Sequence, residues 1–310
     1  MFFESRQNSF NLSILFALTN CALGCALGFY YGKFNLTTAF VSICIILCGC
    51  CIQALCGYSI DYSRAYKKHL QDKKLGKMSP IMIGEITLTQ LRKRMALGAL
   101  VAGFFGAVAI FLSVGNNIQI FSWMIFLCVL AILLTLFYTT KAINLYKGLG
   151  AIAIFVLFSF ISIYGSQFMV VAASHYTIDM YPDAFSLSIC ASCNSLIILY
   201  VRSIRVNVAE RNKKTLTQVI TYEISSLYVL ALLALNIISS VLACIMSHRA
   251  YEAFFIILGF MPMSYFVYTI IKSKRSANLL RRRFNQLLTC CSFNNAIWML
   301  VLFAEYLLYY

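Results

Sequence analysis

Between Gln53 and Lys68 the chain reads QALCGYSIDYSRAYKK, an apolar run that ends in one acid, Asp61, followed by Arg64, Lys67 and Lys68. No other acidic residue stands between Glu4 and Asp72. A carboxylate at the end of a membrane-depth helix is costly to keep without a task. Set among cations, it can hold a divalent metal or form a surface ion pair with Arg64 three residues on. The cations themselves suit phosphate oxygens, which arginine grips two at a time. A second basic cluster, Val201-Arg-Ser-Ile-Arg-Val-Asn207, closes another apolar run. The first of these stretches reads as the mouth of a site for an anion of the diphosphate type.

The elements that must position these residues are membrane spans. Of 310 residues 61% are hydrophobic and 11% charged, where a soluble domain carries about 25% charged residues; the mean hydropathy is +0.82. At about 20 apolar residues per span, nine segments qualify, near 11–31, 36–58, 95–115, 118–139, 149–173, 184–204, 226–246, 251–271 and 286–309. Apolar residues do not alternate and Pro is scarce, so helices are expected rather than a barrel. The expected fold is a single all-α membrane domain over 1–310, a bundle of nine spans around a central cavity open toward the cytoplasm. The first segment, near 11–31, is read as a retained span because no small-residue cleavage site follows MFFESRQNSF.

Charge orients the bundle. With the N-terminus inside, every Lys and Arg except Lys33 and Arg249 falls on the cytoplasmic side, the asymmetry that sets membrane topology. The C-terminus is then outside. The formal net charge of +15 becomes a one-sided field that draws anionic headgroups; no compact basic domain presents it to nucleic acid. On the same reasoning Lys141 and Lys147 serve either as positive-inside anchors or as ligand contacts, and Arg202 and Arg205 either snorkel or bind. Tyr62 and Tyr138 suit an interfacial aromatic belt or a substrate pocket.

Thirteen Cys and three His are present. Cys190-x-x-Cys193 has metal-site spacing but lies in a span, where packing is the plainer role. Asn194 in the same span reads as interhelical glue. Gly24, Gly28 and Gly32, four apart, give the first span a smooth packing face. Chemistry is expected on the cytoplasmic side; the one long outer connection, Ser174 to Asp183, offers His175 with no identifiable partner.

Four elements in register carry a resemblance. Gln53-Ala-Leu-Cys-Gly-Tyr-Ser-Ile-Asp-Tyr62 stands where a motif of the form N-x-x-N-D-Y-x-D would. Gly84-Glu-Ile-Thr87 follows it. Tyr138-Thr-Thr-Lys141 and Lys147-Gly-Leu-Gly150 come next, and Val201–Asn207 with Glu210 and Lys213-Lys-Thr-Leu216 completes the set. On a nine-span frame these resemble the UbiA superfamily of intramembrane aromatic prenyltransferases, closest to its MenA branch, the 1,4-dihydroxy-2-naphthoate polyprenyltransferases of menaquinone synthesis. The resemblance covers nearly the whole chain.

It implies an enzyme of a bacterial-type inner membrane that joins a polyprenyl diphosphate to an aromatic or quinone-precursor ring. Mg²⁺ held by carboxylates and phosphates would neutralise the departing pyrophosphate. Carried over, the site has Asp61 and Asn207 as catalytic and metal-holding residues. Arg64, Lys68, Lys141, Lys147, Arg202 and Arg205 take the diphosphate, and Tyr62, Tyr138 and Ser203 line the pocket. The departures are specific: Gly57 and Ile60 replace Asn, Arg64 replaces the second Asp, Ser203 and Asn207 replace Asp, and Ala151 follows Gly150. Of five alignable acidic positions only Asp61 keeps its acid. Two arrangements remain, one Mg²⁺ on Asp61 and Asn207 with lipid phosphates, or cations gripping phosphate without metal. Two functions follow, an active transferase or a relative that binds or presents an isoprenoid. A transporter has less support, since apart from Glu305 the spans hold almost no charge.

Overall fold

The computed structural model describes residues 2–74, 87–137, 154–175, 181–209, 222–247, 252–272 and 277–309. Among them are nine helical segments, numbered here in chain order: α1 Phe2–Tyr31, α2 Leu36–Lys74, α3 Leu88–Val114 and α4 Ile118–Phe137. α5 runs through wide π-type turns over Ile154–Gly165 and continues as α-helix over Ser166–His175; then come α6 Pro182–Ala209, α7 Tyr222–Met246, α8 Ala253–Lys272 and α9 Ala277–Tyr309. The described parts of the expected spans fall on these segments. Seven helices are long and apolar enough to cross a membrane. The apolar stretches of α5 and α8 among the described residues, Phe160–Ser174 and Ile256–Thr269, are shorter.

Local chemistry starts the helices where they start. At α2, Asn35 Oδ1 accepts the Thr38 N–H at 2.8 Å while Thr38 Oγ1 accepts the Asn35 N–H at 2.9 Å. This reciprocal pair satisfies donors that the first turn leaves open. At α3 the same job falls to Thr87 and Gln90 in a capping box. α6 opens with Pro182, whose missing N–H costs nothing there, and Asp183 Oδ1 accepts the Ala184 N–H at 2.7 Å.

Neighbouring helices alternate in direction, as their paired contacts show. Phe10 of α1 meets Gly57 of α2 while Cys21 meets Gly49; Leu55 of α2 meets Gly98 of α3, and Cys48 meets Gly106. α1 and α5, by contrast, run parallel: Gly24, Gly28 and Gly32 face Ile163, Val170 and Ser174 in order. A Cβ on Gly28 would sit 2.5 Å from Val170 Cβ, and one on Gly32 2.6 Å from Ser174 Oγ. The glycine stripe is therefore a packing surface, with bare backbone on one side of the seam. Around it, α1 packs on α2, α5, α6 and α9, while α5 packs on α1, α2, α3 and α6. α6, α7, α8 and α9 close on one another in a ring.

Buried amides knit these helices at mid-depth. Asn295 Nδ2 of α9 donates to Asn20 Oδ1 and Thr19 Oγ1 of α1, at 2.6 and 3.2 Å. Asn236 Nδ2 of α7 donates to Asn194 Oδ1 of α6, so Asn194 is interhelical glue as expected. Cys190 joins that network, donating to Asn236 Oδ1 at 2.7 Å and accepting from Ser240 Oγ at 3.1 Å. Such bonds contribute roughly 0.6 kcal/mol each in a membrane bundle. The alternative, an amide facing hydrocarbon, is far worse.

The helices overrun their apolar parts at one end. The sequence placed the end of the second span near 58, yet α2 continues to Lys74. The extra residues contain neither Pro nor Gly, and Arg, Ala, Lys, Leu and Gln all favour helix. α1, α3, α6 and α9 also extend past their spans at this end, and Arg92, Arg202, Arg205 and Arg283 fall on it. Lys33, among the described residues, falls at the other.

The α1–α5 seam gives a direct test. Gly28→Leu should cost about 1–3 kcal/mol through overpacking and lower the melting temperature of the detergent-solubilised protein by several degrees. Gly103→Ala, whose nearest neighbour Ile132 Cδ1 would lie 3.8 Å away, should leave it unchanged.

Candidate functional site

The basic end of α2 builds the site. Asp61 and Tyr62 close its apolar segment, which spans Leu36–Tyr62, and both are half-buried. Helical spacing puts Gly57, Asp61, Arg64 and Lys68 on one stripe. Tyr58, Tyr62 and Tyr66 form the next. Ser59 lies on a third, its Oγ donating to the Leu136 carbonyl of α4 at 3.0 Å. α2 is thus held by α1, α3 and α4 at the level where its charge begins.

Each stripe has a distinct neighbour. A side chain on Gly57 would run into the ring of Phe10, which also packs against Tyr58 with centroids 5.6 Å apart. Ile60, the other position where the resemblance calls for Asn, is 9% exposed. The two departures are therefore built into the packing: aromatic and aliphatic surface stands where amides would. On the tyrosine stripe, Tyr62 Oη accepts two hydrogen bonds from Arg92 of α3, from Nε at 2.8 Å and from Nη2 at 2.6 Å. The Tyr62 and Tyr66 rings lie 6.1 Å apart and nearly parallel.

Other expected residues divide into two groups. Arg202, Ser203, Arg205 and Asn207 occupy the last turns of α6, at the same end as Asp61, but their side chains lie outside the described residues, as do those of Arg64 and Lys68. Tyr138, Lys141 and Lys147 lie wholly outside them. α2 and α6 do not pack extensively on each other; α1 and α5, which touch both, stand between them. Asp61 and Asn207 are accordingly carried on two helices, α2 and α6, that α1 and α5 separate.

Among the described side chains the donors do not make a two-metal clamp. Among the described side chains Asp61 is the acid at this end, while Asp183, Glu252 and Glu305 are buried toward the other. No three His, Cys, Asp or Glu side chains converge among the described residues. What the geometry offers is cationic: one carboxylate, a forked guanidinium on a phenol, and further Lys and Arg on the extended helix ends.

With this geometry in place, likeness to solved structures becomes informative. One is the apo structure of a UbiA homolog from Aeropyrum pernix K1, with a TM-score of 0.64 and 12% identity, covering 93% of this chain and 97% of that one. The chain has a UbiA-type fold. A second is a structure of digeranylgeranylglyceryl phosphate synthase, with a TM-score of 0.56 and 14% identity over 94% and 98% of the two chains. No protein-family model and no curated protein matches the chain. At these identities the shared property is the fold.

Motif reasoning missed Arg92, which counted only among the Lys and Arg residues that orient the bundle. The signal that would find it is the antiparallel register of α2 and α3, which brings positions thirty residues apart into contact.

The packing under Gly57 is testable. Gly57→Asn, which restores the amide of the related motif, should destabilise the protein. Combined with Phe10→Ala it should cost less than the sum of the two changes, with a coupling of about 1 kcal/mol or more, read from paired thermal melts.

Proposed function

We propose that this chain is a membrane prenyltransferase-like protein of the UbiA superfamily, nearest the MenA branch, that takes a polyprenyl diphosphate at its basic end. The observation that carries the reading is the UbiA-type fold over nearly the whole of both chains, together with the gathering of cations at one end. That end is the cytoplasmic one in a bacterial-type inner membrane, with the N-terminus inside, the C-terminus outside and a central cavity opening there. Arg64, Lys68, Lys141, Lys147, Arg202 and Arg205 neutralise the diphosphate, and Tyr62, Tyr138 and Ser203 line the pocket beside Asp61 and Asn207.

In the reaction so proposed, the allylic C–O bond breaks and its electron pair leaves on pyrophosphate. An electron-rich aromatic or quinone-precursor ring attacks the allylic cation, forming the new C–C bond, and the ring then sheds a proton. Guanidinium and ammonium groups stabilise the charge that grows on the leaving group. A Mg²⁺ ion, if bound, would add Lewis-acid help; Asp61 and Asn207 are the residues that would hold it.

A second reading is favoured by a specific observation. Gly57 lies beneath Phe10 and Ile60 is buried, which suits a relative that binds an isoprenoid diphosphate and performs no transfer. The purified protein incubated with radiolabelled geranylgeranyl diphosphate, Mg²⁺ and a panel of aromatic acceptors separates the two. Transfer is expected to release pyrophosphate and yield a prenylated ring, with Asp61→Ala lowering the rate at least about tenfold. Tight binding that EDTA leaves intact, with no product on any acceptor, would establish the second reading in place of the first.

A further inference from the structure

We propose that the outward face of the α8–α9 hairpin, at the basic end of the bundle, binds an anionic phospholipid through Arg283 and Lys272. The anchor is the way Arg283 is held. Its guanidinium, on α9, lies over two consecutive rings of α8, 5.8 Å from the Tyr265 centroid and 5.5 Å from that of Phe266. Those two rings meet edge to face, 5.5 Å apart. Aromatic faces attract a guanidinium and fix its plane.

The rings supply no counter-charge. Nη1 donates to Gln286 Oε1 at 3.2 Å, a neutral acceptor on the same helix. Nε is enclosed by protein and meets no acceptor among the described residues. The described acids stand elsewhere, Asp61 on α2 and Asp183, Glu252 and Glu305 toward the opposite end. The Nε–Nη2 edge of arginine matches two phosphate oxygens, and among the described residues nothing uses it. Tyr265 is 55% exposed, so its ring turns aside for a headgroup without opening a core.

A second cation belongs to the same stripe. Tyr265, Tyr268 and Lys272 follow one another at i, i+3 and i+7 on α8. Lys272 Nζ lies 5.7 Å from the Tyr268 centroid. Further from the basic end, Phe254, Leu258 and Met261 continue the stripe, all exposed. Among the described residues α8 packs extensively only on α7 and α9, so the stripe looks away from the bundle and from Asp61. Depth agrees, because the apolar span of α9 begins at Arg283.

These features call for an amphiphile. Acyl chains lie along Phe254, Leu258 and Met261 while the phosphodiester meets Arg283 and Lys272 at the level of the tyrosines. Basic pockets between spanning helices take anionic headgroups in this way. A zwitterionic headgroup adds an ammonium beside rings that already carry cations, so a net negative lipid is preferred. The site stands whether or not the protein transfers a prenyl group.

The test is native mass spectrometry of the full chain in neutral detergent. It is titrated with dioleoylphosphatidylglycerol, dioleoylphosphatidylcholine or inorganic phosphate, the last separating a free anion from a lipid headgroup. Wild type should hold one phosphatidylglycerol about tenfold more tightly than phosphatidylcholine. Arg283→Ala should weaken phosphatidylglycerol about tenfold and leave phosphatidylcholine nearly unchanged. Arg283→Lys, which keeps the charge but loses the fork, should lose an intermediate amount. Lys272→Ala should cost about fivefold. Arg94→Ala, which removes an exposed charge from α3 at the same end, should change nothing. If Arg283→Ala does not fold, Arg283→Lys and Lys272→Ala set against Arg94→Ala decide the matter. Losses from Arg94→Ala as large as those from the α8–α9 variants mark a diffuse basic field and overturn the site. Equal wild-type affinity for the two lipids overturns it too, as does inorganic phosphate displacing phosphatidylglycerol at equal concentration.

Discussion

The contact on which the rest of the bundle depends is the parallel seam between α1 and α5. Three glycines on one helix let its backbone lie directly on Ile163, Val170 and Ser174 of the other. In lipid there is little hydrophobic gain from bringing helices together, so close dispersion contact and interhelical hydrogen bonds must do it. The seam supplies the first; the Asn20–Asn295 and Asn194–Asn236 pairs supply the second. Because α1 and α5 each touch both α2 and α6, the helices bearing the two basic motifs are spaced by the seam.

Much of this frame was legible from sequence because lipid leaves the backbone few options. A segment must satisfy its own hydrogen bonds, so apolar runs of the right length read directly as helices. The glycine stripe was legible for a similar reason, since spacing of four on a helix defines a face. The helix ends were not. Beyond Tyr62 hydropathy falls while the propensity to stay helical does not, so the polar continuation of α2 is invisible to a hydropathy argument.

The site was legible only in part. A lone acid in a basic run singles itself out, and Asp61 does stand where the helix leaves its apolar segment. The meaning of the missing amides came from packing: Phe10, more than forty residues earlier in sequence, covers Gly57, and no motif spacing links them. Arg92 escaped notice for the same reason. Its partner Tyr62 is reached only across the antiparallel pair α2 and α3. Residues that act along one helix announce themselves by period; those that meet between helices do not.

The overrun of α2 changes how a ligand could be found. The hydrocarbon core is about 30 Å thick, flanked by headgroup layers of several ångströms, and α2 rises about 1.5 Å per residue. With its apolar span ending at Tyr62, the backbone positions of Arg64 and Lys68 stand about 3 and 9 Å further along the helix. A prenyl chain would keep its tail in the leaflet while its phosphates met these cations. On the proposed function the search for that lipid would be two-dimensional, governed by lateral diffusion and by its mole fraction in the leaflet. Its concentration in water hardly enters.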